Sequence, residues 1–265
     1  LLRIAANALR PKRRVRPSEW ARTNVVLRSE QSAKPGPFDT DWKPFTAALH
    51  DVMYDHPDKQ GAVAIKPEQI GFSRAVINLV GCIIDTDPGP ILYMTTDDRK
   101  AQNFADEEFD PMVKGCPSLA GLFAKASEDR RTLTFHKPFT GGVIDFGGAG
   151  SESATISVGR RYVILDEYQK SSENFPAASG DLFQAGLGRL TTYKNVGWIY
   201  AFGHPRYEME DIDRLYQAMS TRHAWTFDCP HCQTPVELRW KHVRFASLAA
   251  DGEAAASLDP ATAML

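Results

Sequence analysis

The sequence predicts an α/β fold with a mostly parallel sheet flanked by helices. Short apolar segments with the character of buried strands alternate with longer segments of helical periodicity, an order typical of βαβ units. Three of these strands end directly in polar or glycine residues, at Lys66, at Asp166-Glu167 and at Gly203-His204. Because ligands of open α/β sheets bind beyond the carboxyl ends of the strands, we expect these residues to share one edge.

The first elements of this unit alternate regularly. A helix opens it, because apolar residues at positions 45, 48, 49, 52 and 53 share one helical face. Strand and helix then alternate twice, over 61–66 (strand), 73–85 (helix), 90–96 (strand) and 98–113 (helix). The acidic pair Asp97 and Asp98 favours the start of that last helix, since carboxylates stabilise helix N-termini.

The later part of the unit is richer in strands. The segments RTLTFHK, GGVIDFGG and SATISV, which are separated by glycines, are predicted to be strands. A further predicted strand within 160–169 ends at two carboxylates. A helix over 180–193, a strand over 196–203 and a helix over 208–220 follow. The predicted domains are an N-terminal arm and linker (1–44), the α/β domain (45–221) and a small β-rich module (222–265).

Composition and charge limit the class of protein. The chain has 265 residues, 43% hydrophobic and 24% charged, with a net charge of −2, as in ordinary globular proteins. The basic cluster RPKRRVR (10–16) is either a solvated arm or an arm that contacts nucleic-acid phosphates. No apolar run of 18 residues and no secretory signal is visible, so we expect no membrane span and a cytoplasmic compartment.

The segment IKPEQIGFSR (65–74) is similar to a phosphate-binding loop whose lysine has moved. The usual pattern is G-x-x-x-x-G-K-[ST] between a strand and a helix, but here Lys66 takes the first-glycine position and Phe72 the lysine position. Gly71 permits the turn, Ser73 supplies a hydroxyl for Mg²⁺, and the long stem of Lys66 can reach back to phosphates. A chance match is the alternative.

A second motif, YVILDE (162–167), is an apolar strand that ends in two carboxylates. Asp166 stands where a Mg²⁺ ligand is needed, and Glu167 where an attacking water is oriented or deprotonated. A plain surface turn after a core strand is the alternative interpretation. The lysine loop and the carboxylate pair together indicate a Mg²⁺-nucleotide site.

A third segment, AFGHPR (201–206), also follows an apolar strand. Its residues Gly203, His204 and Arg206 are either sensors of a terminal phosphate or parts of an ordinary strand-to-helix turn. His204 has this placement alone among the seven histidines. We expect His50, His56 and His136 on the surface or in loops.

A single C-x-x-C occurs, in CPHC from Cys229 to Cys232. Two thiolates on one tight loop suit tetrahedral Zn²⁺, so the segment is interpreted as half of a zinc site. A redox pair is the alternative, but the βαβ context of redox motifs is missing. No second C-x-x-C or H-x-x-H follows, so His223, His231, His242 or residues beyond this chain are left to complete the site.

Seven segments in order carry a resemblance that covers the chain from about Arg16 to Trp240. They are RPSEWA, PGPFDTDWKPFTAALHDVM, KPEQIGFSR, PILYMTTDDRKAQNFADEEFDPMV, PSLAGLF, RRYVILDE and CPHC. In these segments the chain resembles the N-terminal ATPase portion of phage terminase large subunits of the lambda type (gpA-like). The resemblance implies a RecA-like (ASCE P-loop) ATPase domain with ATP and Mg²⁺ as ligands, extended by a zinc-knuckle-like module.

The resemblance also implies roles for the motif residues. The family's own phosphate loop is led by lysine, so Lys66 contacts the β- and γ-phosphates and acts in catalysis with Asp166 and Glu167. Ser73 and Asp166 hold Mg²⁺, and Glu167 activates water. The rest of the ATP site is lined by Gln69, Gly71, Phe72 and Arg74. Cys229 and Cys232 are the implied Zn²⁺ ligands.

Movement and partners follow from the same resemblance. Gly203 and His204 are expected to couple hydrolysis to movement, and Phe45 or Trp42 to pack near the adenine. The implied activity is ATP-driven packaging of viral DNA into the capsid. The implied partners are double-stranded DNA, a small terminase subunit, a portal protein and further copies of this chain. The implied location is the host cytoplasm, on the procapsid, with no membrane involved.

Several departures from the family pattern leave parts of this hypothesis open. The third motif of relatives resembles S-T-P, where this chain has Gly203-His204-Pro205. Some relatives carry an arginine where this chain has Gln69. A catalytic arginine is therefore expected from Arg74, from Arg160 or Arg161, or from a neighbouring subunit. The chain holds no acidic nuclease cluster, so the DNA cleavage of full-length relatives is not expected from it.

Two further functions are compatible with the residues. One is a helicase-like ATPase that depends on nucleic acid but does not package it. The other is a non-catalytic prophage remnant that binds DNA or assembly partners.

Overall fold

The computed structural model divides the chain into two compact units, Leu1–Met219 and Ser220–Leu265. The described residues are 14–29, 32–123, 135–151, 158–237, 245–248 and 254–257. Almost all of the predicted strand SATISV lies outside them, as do the first four residues of RTLTFHK, most of the basic cluster and His242.

A six-stranded sheet and a two-stranded ribbon form the β-structure of the first unit's described part. Their strands are β1 (Val26–Leu27), β2 (Gly36–Pro37), β3 (Gly61–Ile65), β4 (Ile91–Thr95), β5 (His136–Phe139), β6 (Gly142–Gly148), β7 (Tyr162–Leu165) and β8 (Trp198–Gly203). The order in the sheet is β3-β8-β7-β4-β6-β5, while β1 pairs with β2. Within the six-stranded sheet, β5 alone is antiparallel to its neighbour, so the predicted mostly parallel sheet is confirmed.

The helices of this unit lie before and between its strands, and one follows β8. They are α1 (Pro17–Asn24), α2 (Phe45–Asp55), α3 (Phe72–Thr86), α4 (Asp98–Asn103), α5 (Asp110–Gly115), α6 (Pro117–Ala120), α7 (Tyr168–Asn174), α8 (Leu182–Arg189) and α9 (Asp211–Gln217). A π-helix (Phe104–Phe109) joins α4 to α5, so the predicted helix over 98–113 is present but irregular. Across the described ranges, no helix combines the length and apolarity that a membrane crossing needs.

Both faces of the sheet are covered, as expected for parallel strands. Side chains alternate between the faces: Ile91 and Tyr93 of β4 lie in one apolar cluster, and Leu92 and Met94 in the other. The first cluster contains α1, α3 and the segment from α4 to α6, whereas the second contains α7, α8 and α9. The hydrophobic core therefore consists of two layers with the sheet between them.

Helix α1 lies inside the segment that the sequence analysis assigned to an arm and linker. Its Trp20 is buried, and the indole Nε1 donates a hydrogen bond to Asp85 Oδ2 at 2.7 Å. A Cβ on Gly81 of α3 would be 2.6 Å from the Trp20 ring, so the two helices are in close contact. The hydroxyl of Ser18 donates to Asp51 Oδ2 at 2.7 Å, which ties α1 to α2.

The expectation that His50 lies on the surface is wrong. His50 is fully buried on α2, with Nδ1 2.6 Å from the carbonyl oxygen of Thr46 and Nε2 3.1 Å from Asn78 Nδ2. Burial lowers the pKa of His50, because desolvation disfavours the charged imidazolium. His50 lies outside the apolar face formed by positions 45, 48, 49, 52 and 53, so the helical pattern gave no sign that this ring packs into the core.

The second unit is described only in part and is β-rich there. Strand β9 (Thr226–Asp228) pairs antiparallel with β10 (Pro235–Glu237), and β11 (Phe245–Leu248) with β12 (Ala254–Ser257). The CPHC segment is the loop between β9 and β10.

Replacing Gly148 with alanine is expected to destabilise the first unit. A Cβ at Gly148 would lie 2.4 Å from the Asp97 carbonyl carbon and the Asp98 nitrogen, and backbone atoms cannot yield as flexible side chains do. Overpacking of this kind costs about 1–3 kcal/mol. Urea unfolding should show the loss, while Gly115→Ala should stay within about 0.5 kcal/mol, because nothing lies within 4 Å there. Equal midpoints for the two variants would contradict the close approach.

Candidate nucleotide-binding site

Three strands bring the predicted motifs to one edge of the sheet. Strand β8 lies between β3 and β7 and is parallel to both, with Ile65 opposite Gly203 and Leu165 opposite Ala201. The backbone nitrogen of Lys66 donates a hydrogen bond to the Gly203 carbonyl oxygen at 2.9 Å. The residues that follow the three strands therefore converge, as the sequence predicts.

The side chains of Lys66 and Glu167 meet at this edge. Lys66 Nζ lies 3.3 Å from Glu167 Oε1, and the lysine side chain is only 7% exposed. Burial would raise the pKa of Glu167, but the charge and hydrogen bond of Lys66 outweigh it and leave the pKa below its usual value. Glu167 is thus held ionised beside a buried ammonium. Among the described residues, the Lys66 ammonium has one hydrogen-bond partner. Since an ammonium carries three N–H donors, it can donate to further acceptors.

The loop between Lys66 and α3 has the backbone of an anion-binding turn. Gly71 precedes the helix with φ 86°, and Gln69 also has a positive φ, 57°. Helix α3 is 15 residues long, and its first amides lack intrahelical acceptors. Its N-terminus therefore carries partial positive charge and free N–H donors where phosphate is expected.

Not every predicted loop residue points to that turn. The ring of Phe72 is 3% exposed and packs 4.8 Å (centroid to centroid) from that of Phe202, so Phe72 offers the site only its backbone. The guanidinium of Arg74 pairs with Glu108 of the π-helix. Ser73 is exposed at the start of α3, where a hydroxyl is available to a metal or phosphate.

Asp166 is buried and held at both carboxylate oxygens. Oδ2 accepts a hydrogen bond from the Tyr93 hydroxyl at 2.5 Å, and Oδ1 accepts one from the Glu167 backbone nitrogen at 2.7 Å. Burial raises the pKa of Asp166 to about 6, an effect that the Tyr93 hydrogen bond opposes and the Glu167 charge reinforces. Each oxygen keeps a further lone pair, so the carboxylate suits a hard cation such as Mg²⁺.

The turn after β7 is conformationally strained. Glu167 has φ 49° and ψ 45°, a left-handed conformation that costs a non-glycine residue about 1–3 kcal/mol. Helix α7 starts immediately afterwards, at Tyr168. A Cβ at Gly203 would be 3.1 Å from the Tyr168 nitrogen, so a glycine there lets β8 approach this turn closely.

His204 connects the end of β8 to the lysine loop. Its Nε2 lies 3.2 Å from Glu68 Oε1, and its buried Nδ1 has no hydrogen-bond partner among the described residues. Arg206 instead pairs with Glu173 and, at 3.3 Å, with Glu210, on the surface. Of the third segment, Gly203 and His204 therefore contact the other two motifs.

Arg160 and Arg161 are wrongly placed for a catalytic arginine from the same chain. Both precede β7, at the sheet edge opposite Asp166, and β7 is four residues, or about 13 Å, long. Arg160 pairs with Asp145, and Arg161 pairs with Asp87.

The CPHC segment supplies two thiols and no complete metal site among the described residues. Cys232 Sγ lies 3.4 Å from Thr234 Oγ1, and hydrogen bonds with Thr234 and Cys229 lower the pKa of the Cys232 thiol. No group of three or more histidine, cysteine or acidic side chains suited to a metal occurs in the described ranges. The Zn²⁺ assignment of Cys229 and Cys232 therefore stays a prediction.

The family model for the ATPase domain of the phage terminase large subunit gpA matches residues 32–262. The chain belongs to this family. Among solved structures, it is similar to the large terminase of bacteriophage HK97, with a TM-score of 0.58 and 12% identity over 78% of this chain and 40% of that one. The large-terminase ATPase domain of Thermus phage P74-26 has a TM-score of 0.46 and 16% identity, over 67% of this chain and 72% of that one. None of the curated proteins matches the sequence.

The family match and the similarity to the HK97 structure show that the chain has a terminase ATPase-type fold. At 12% identity the HK97 structure is evidence for the fold alone. The chain spans 40% of the length of the HK97 large terminase.

Tyr93 is a residue of this candidate site that sequence reasoning missed. It lies in the middle of β4 and has the side chain of an ordinary core residue, 0% exposed. The available signal was its hydroxyl, because a tyrosine in a buried strand needs a hydrogen-bond partner. The pairing of β4 with β7 supplies that partner in Asp166.

Replacing Asp166 with asparagine is expected to stabilise the first unit at neutral pH. The folded-state pKa of about 6 exceeds the usual 3.8, so the carboxyl group's contribution to stability decreases as the pH rises from about 4 to 6. Removing the charge should raise the free energy of unfolding by about 1–3 kcal/mol at pH 7.5. Urea unfolding with EDTA should show this gain decreasing towards pH 4. Asp106→Asn, an exposed carboxylate, is the control, and a destabilised Asp166→Asn at pH 7.5 would contradict the burial argument.

Proposed function

We propose that this chain binds Mg²⁺-ATP at the edge formed by β3, β8 and β7 and hydrolyses it as a RecA-like P-loop ATPase. The observation that carries the proposal is the contact of Lys66 Nζ with Glu167 Oε1 at 3.3 Å, next to Asp166. A cation from the loop and two carboxylates from a neighbouring motif are the parts that nucleotide hydrolysis needs. Family membership supports the same activity.

The arrival of ATP changes the partner of Lys66. Its ammonium is paired with Glu167 before binding, and the triphosphate then supplies stronger and more numerous acceptors. Lys66 moves to the β- and γ-phosphates, supported by the amides at the start of α3. Glu167, already ionised, is then free to accept a proton from the attacking water.

Mg²⁺ would be held by Asp166 and the Ser73 hydroxyl, with phosphate oxygens and water as further ligands. The metal would neutralise charge on the phosphates as the bond to the leaving group breaks. The pairing with Tyr93 orients Asp166 for this role.

His204 would transmit the state of the site to the rest of the domain. It contacts Glu68 of the lysine loop and follows β8, whose Gly203 packs against the turn after Glu167. A change in the position of the loop therefore displaces the start of the segment that leads to α9. Gly203 and His204 would in this way take the place of the S-T-P motif of relatives.

The proposed biological role is the packaging of double-stranded DNA into a viral capsid, as the motor domain of a terminase large subunit. We propose a small terminase subunit, a portal protein and further copies of the chain as its partners, in the host cytoplasm. Arg74 is occupied by Glu108, which favours a neighbouring copy as the source of a catalytic arginine.

Removal of the general base should abolish hydrolysis without abolishing nucleotide binding. We expect Glu167→Gln to lower DNA-stimulated kcat for ATP by about 10²–10⁴-fold, the usual contribution of a general base. Lys66→Ala should weaken ATP binding as well. The measurements are phosphate release and equilibrium binding of ATP.

The exposed Glu107 on the π-helix provides the matched Glu→Gln control, and its variant should hydrolyse ATP at the wild-type rate. Equal background rates in wild type and Glu167→Gln would support a non-catalytic protein. DNA-stimulated hydrolysis without packaging in an assay with procapsids would support the helicase-like alternative.

The zinc half-site has its own test. We expect about one Zn²⁺ per chain in metal analysis of the purified protein, and its loss in Cys229→Ser, because a tetrahedral site fails without a thiolate. Cys116→Ser, in the other unit, should retain the metal. Wild-type protein that contains no zinc after expression in zinc-supplemented medium would refute the assignment.

A further inference from the structure

A second lysine lies against the phosphate loop. A Cβ built on Gly71 would be 3.5 Å from Lys43 Nζ, so the ammonium faces the backbone that precedes α3. The K-x-x-x-x-G-x-S pattern does not predict this contact, because Lys43 lies outside the pattern, 28 positions before Gly71.

The backbone of Lys43 is held firmly. Its nitrogen donates to the Thr40 carbonyl oxygen at 3.1 Å, and its own carbonyl oxygen accepts from the nitrogen and the hydroxyl of Thr46 at 2.9 and 2.7 Å. Lys43 therefore enters the site from a fixed turn at the start of α2. Its side chain is half-buried rather than fully solvated.

The charge of Lys43 is not neutralised by a carboxylate among the described residues. Its ammonium lies 5.1 Å from the centre of the Trp42 ring, and that ring is the contact that compensates part of the charge. Trp42 is itself 46% exposed. An ammonium beside an open aromatic ring remains available for a stronger anionic partner.

The position of this charge suits an anion bound at the start of α3. The N-terminus of α3 carries partial positive charge, and Lys43 adds a full one beside the same glycine. Two positive features that converge without a carboxylate between them repel each other. A bound phosphate chain would be attracted both by the N-terminus of α3 and by the Lys43 ammonium.

We propose that Lys43 is a second cation of the nucleotide site and contacts the polyphosphate chain of the bound nucleotide over Gly71. The inference rests on the proposed function and deepens it. Lys66 approaches the phosphates from the end of β3, while Lys43 approaches from the start of α2. Lys43 would thus favour nucleoside di- and triphosphates over nucleosides.

The chain provides a matched control for this proposal. Lys34 Nζ lies 6.0 Å from the centre of the same Trp42 ring, but it is paired with Asp39 at 3.2 Å. Two lysines thus contact one aromatic side chain, and one of them has a carboxylate partner. Only the other is predicted to bind phosphate.

The test measures equilibrium binding of ATP, ADP and adenosine to the whole chain. Lys43→Ala should weaken ATP and ADP binding by about 10-fold or more, the usual effect of losing a charge-assisted hydrogen bond, and leave adenosine binding unchanged. Lys43→Arg should restore most of the affinity, and Lys34→Ala should match wild type. Circular dichroism melting of each variant separates loss of binding from loss of folding.

The outcomes distinguish this inference from the proposed function. If Lys43→Ala binds ATP as tightly as wild type while Lys66→Ala does not, Lys43 has no role and the ATPase proposal stands. If wild type binds neither ATP nor ADP, both proposals fail. Equal loss in Lys34→Ala and Lys43→Ala would assign the effect to the Trp42 ring and overturn the role of Lys43.

Discussion

The parallel pairing of β8 with both β3 and β7 is the constraint on which the candidate site depends. Lys66, Gly203 and Asp166 meet because three strand ends stop at one edge of the sheet. The register is tightly specified, since a Cβ on Gly61 would be 2.5 Å from Cγ2 of Ile199 and only glycine fits there. A slip of one residue would turn every side chain of a strand to the other face and separate the motifs.

The site stores unfavourable energy that the two-layered core must offset. A buried ammonium, a buried carboxylate with a raised pKa and a left-handed Glu167 occupy neighbouring positions. The ionised Asp166 and the left-handed Glu167 each lower the stability of the fold in the absence of a ligand. They are also the features that make the edge reactive, because unpaired or strained groups gain most when a ligand arrives.

Sequence reasoning found those parts of the molecule that depend on local pattern. Strand ends, helical periodicity and the spacing from Lys66 to Ser73 are properties of short segments, and the sheet edge that they predict is the observed one. Contacts between distant segments were missed, such as Tyr93 with Asp166 and Trp20 with Asp85. The burial of His50 was misjudged and that of the Phe72 ring was not predicted, since burial is decided by which helix faces which strand.

The π-helix between α4 and α5 constrains the number of residues in the segment Phe104–Phe109. At its start, the Phe104 ring stacks on Tyr93 with centroids 4.0 Å apart, and near its end Glu108 pairs with Arg74. A π-helical turn holds one residue more than an α-helical turn, and each helical residue turns the chain by about 100°. Deletion of a single residue here would convert the π-helical turn to an α-helical one. Because the later side chains would then rotate by about 100°, only one of the contacts Phe104–Tyr93 and Glu108–Arg74 would remain in place. Homologous chains that keep both contacts should therefore tolerate substitutions in this segment far better than insertions or deletions.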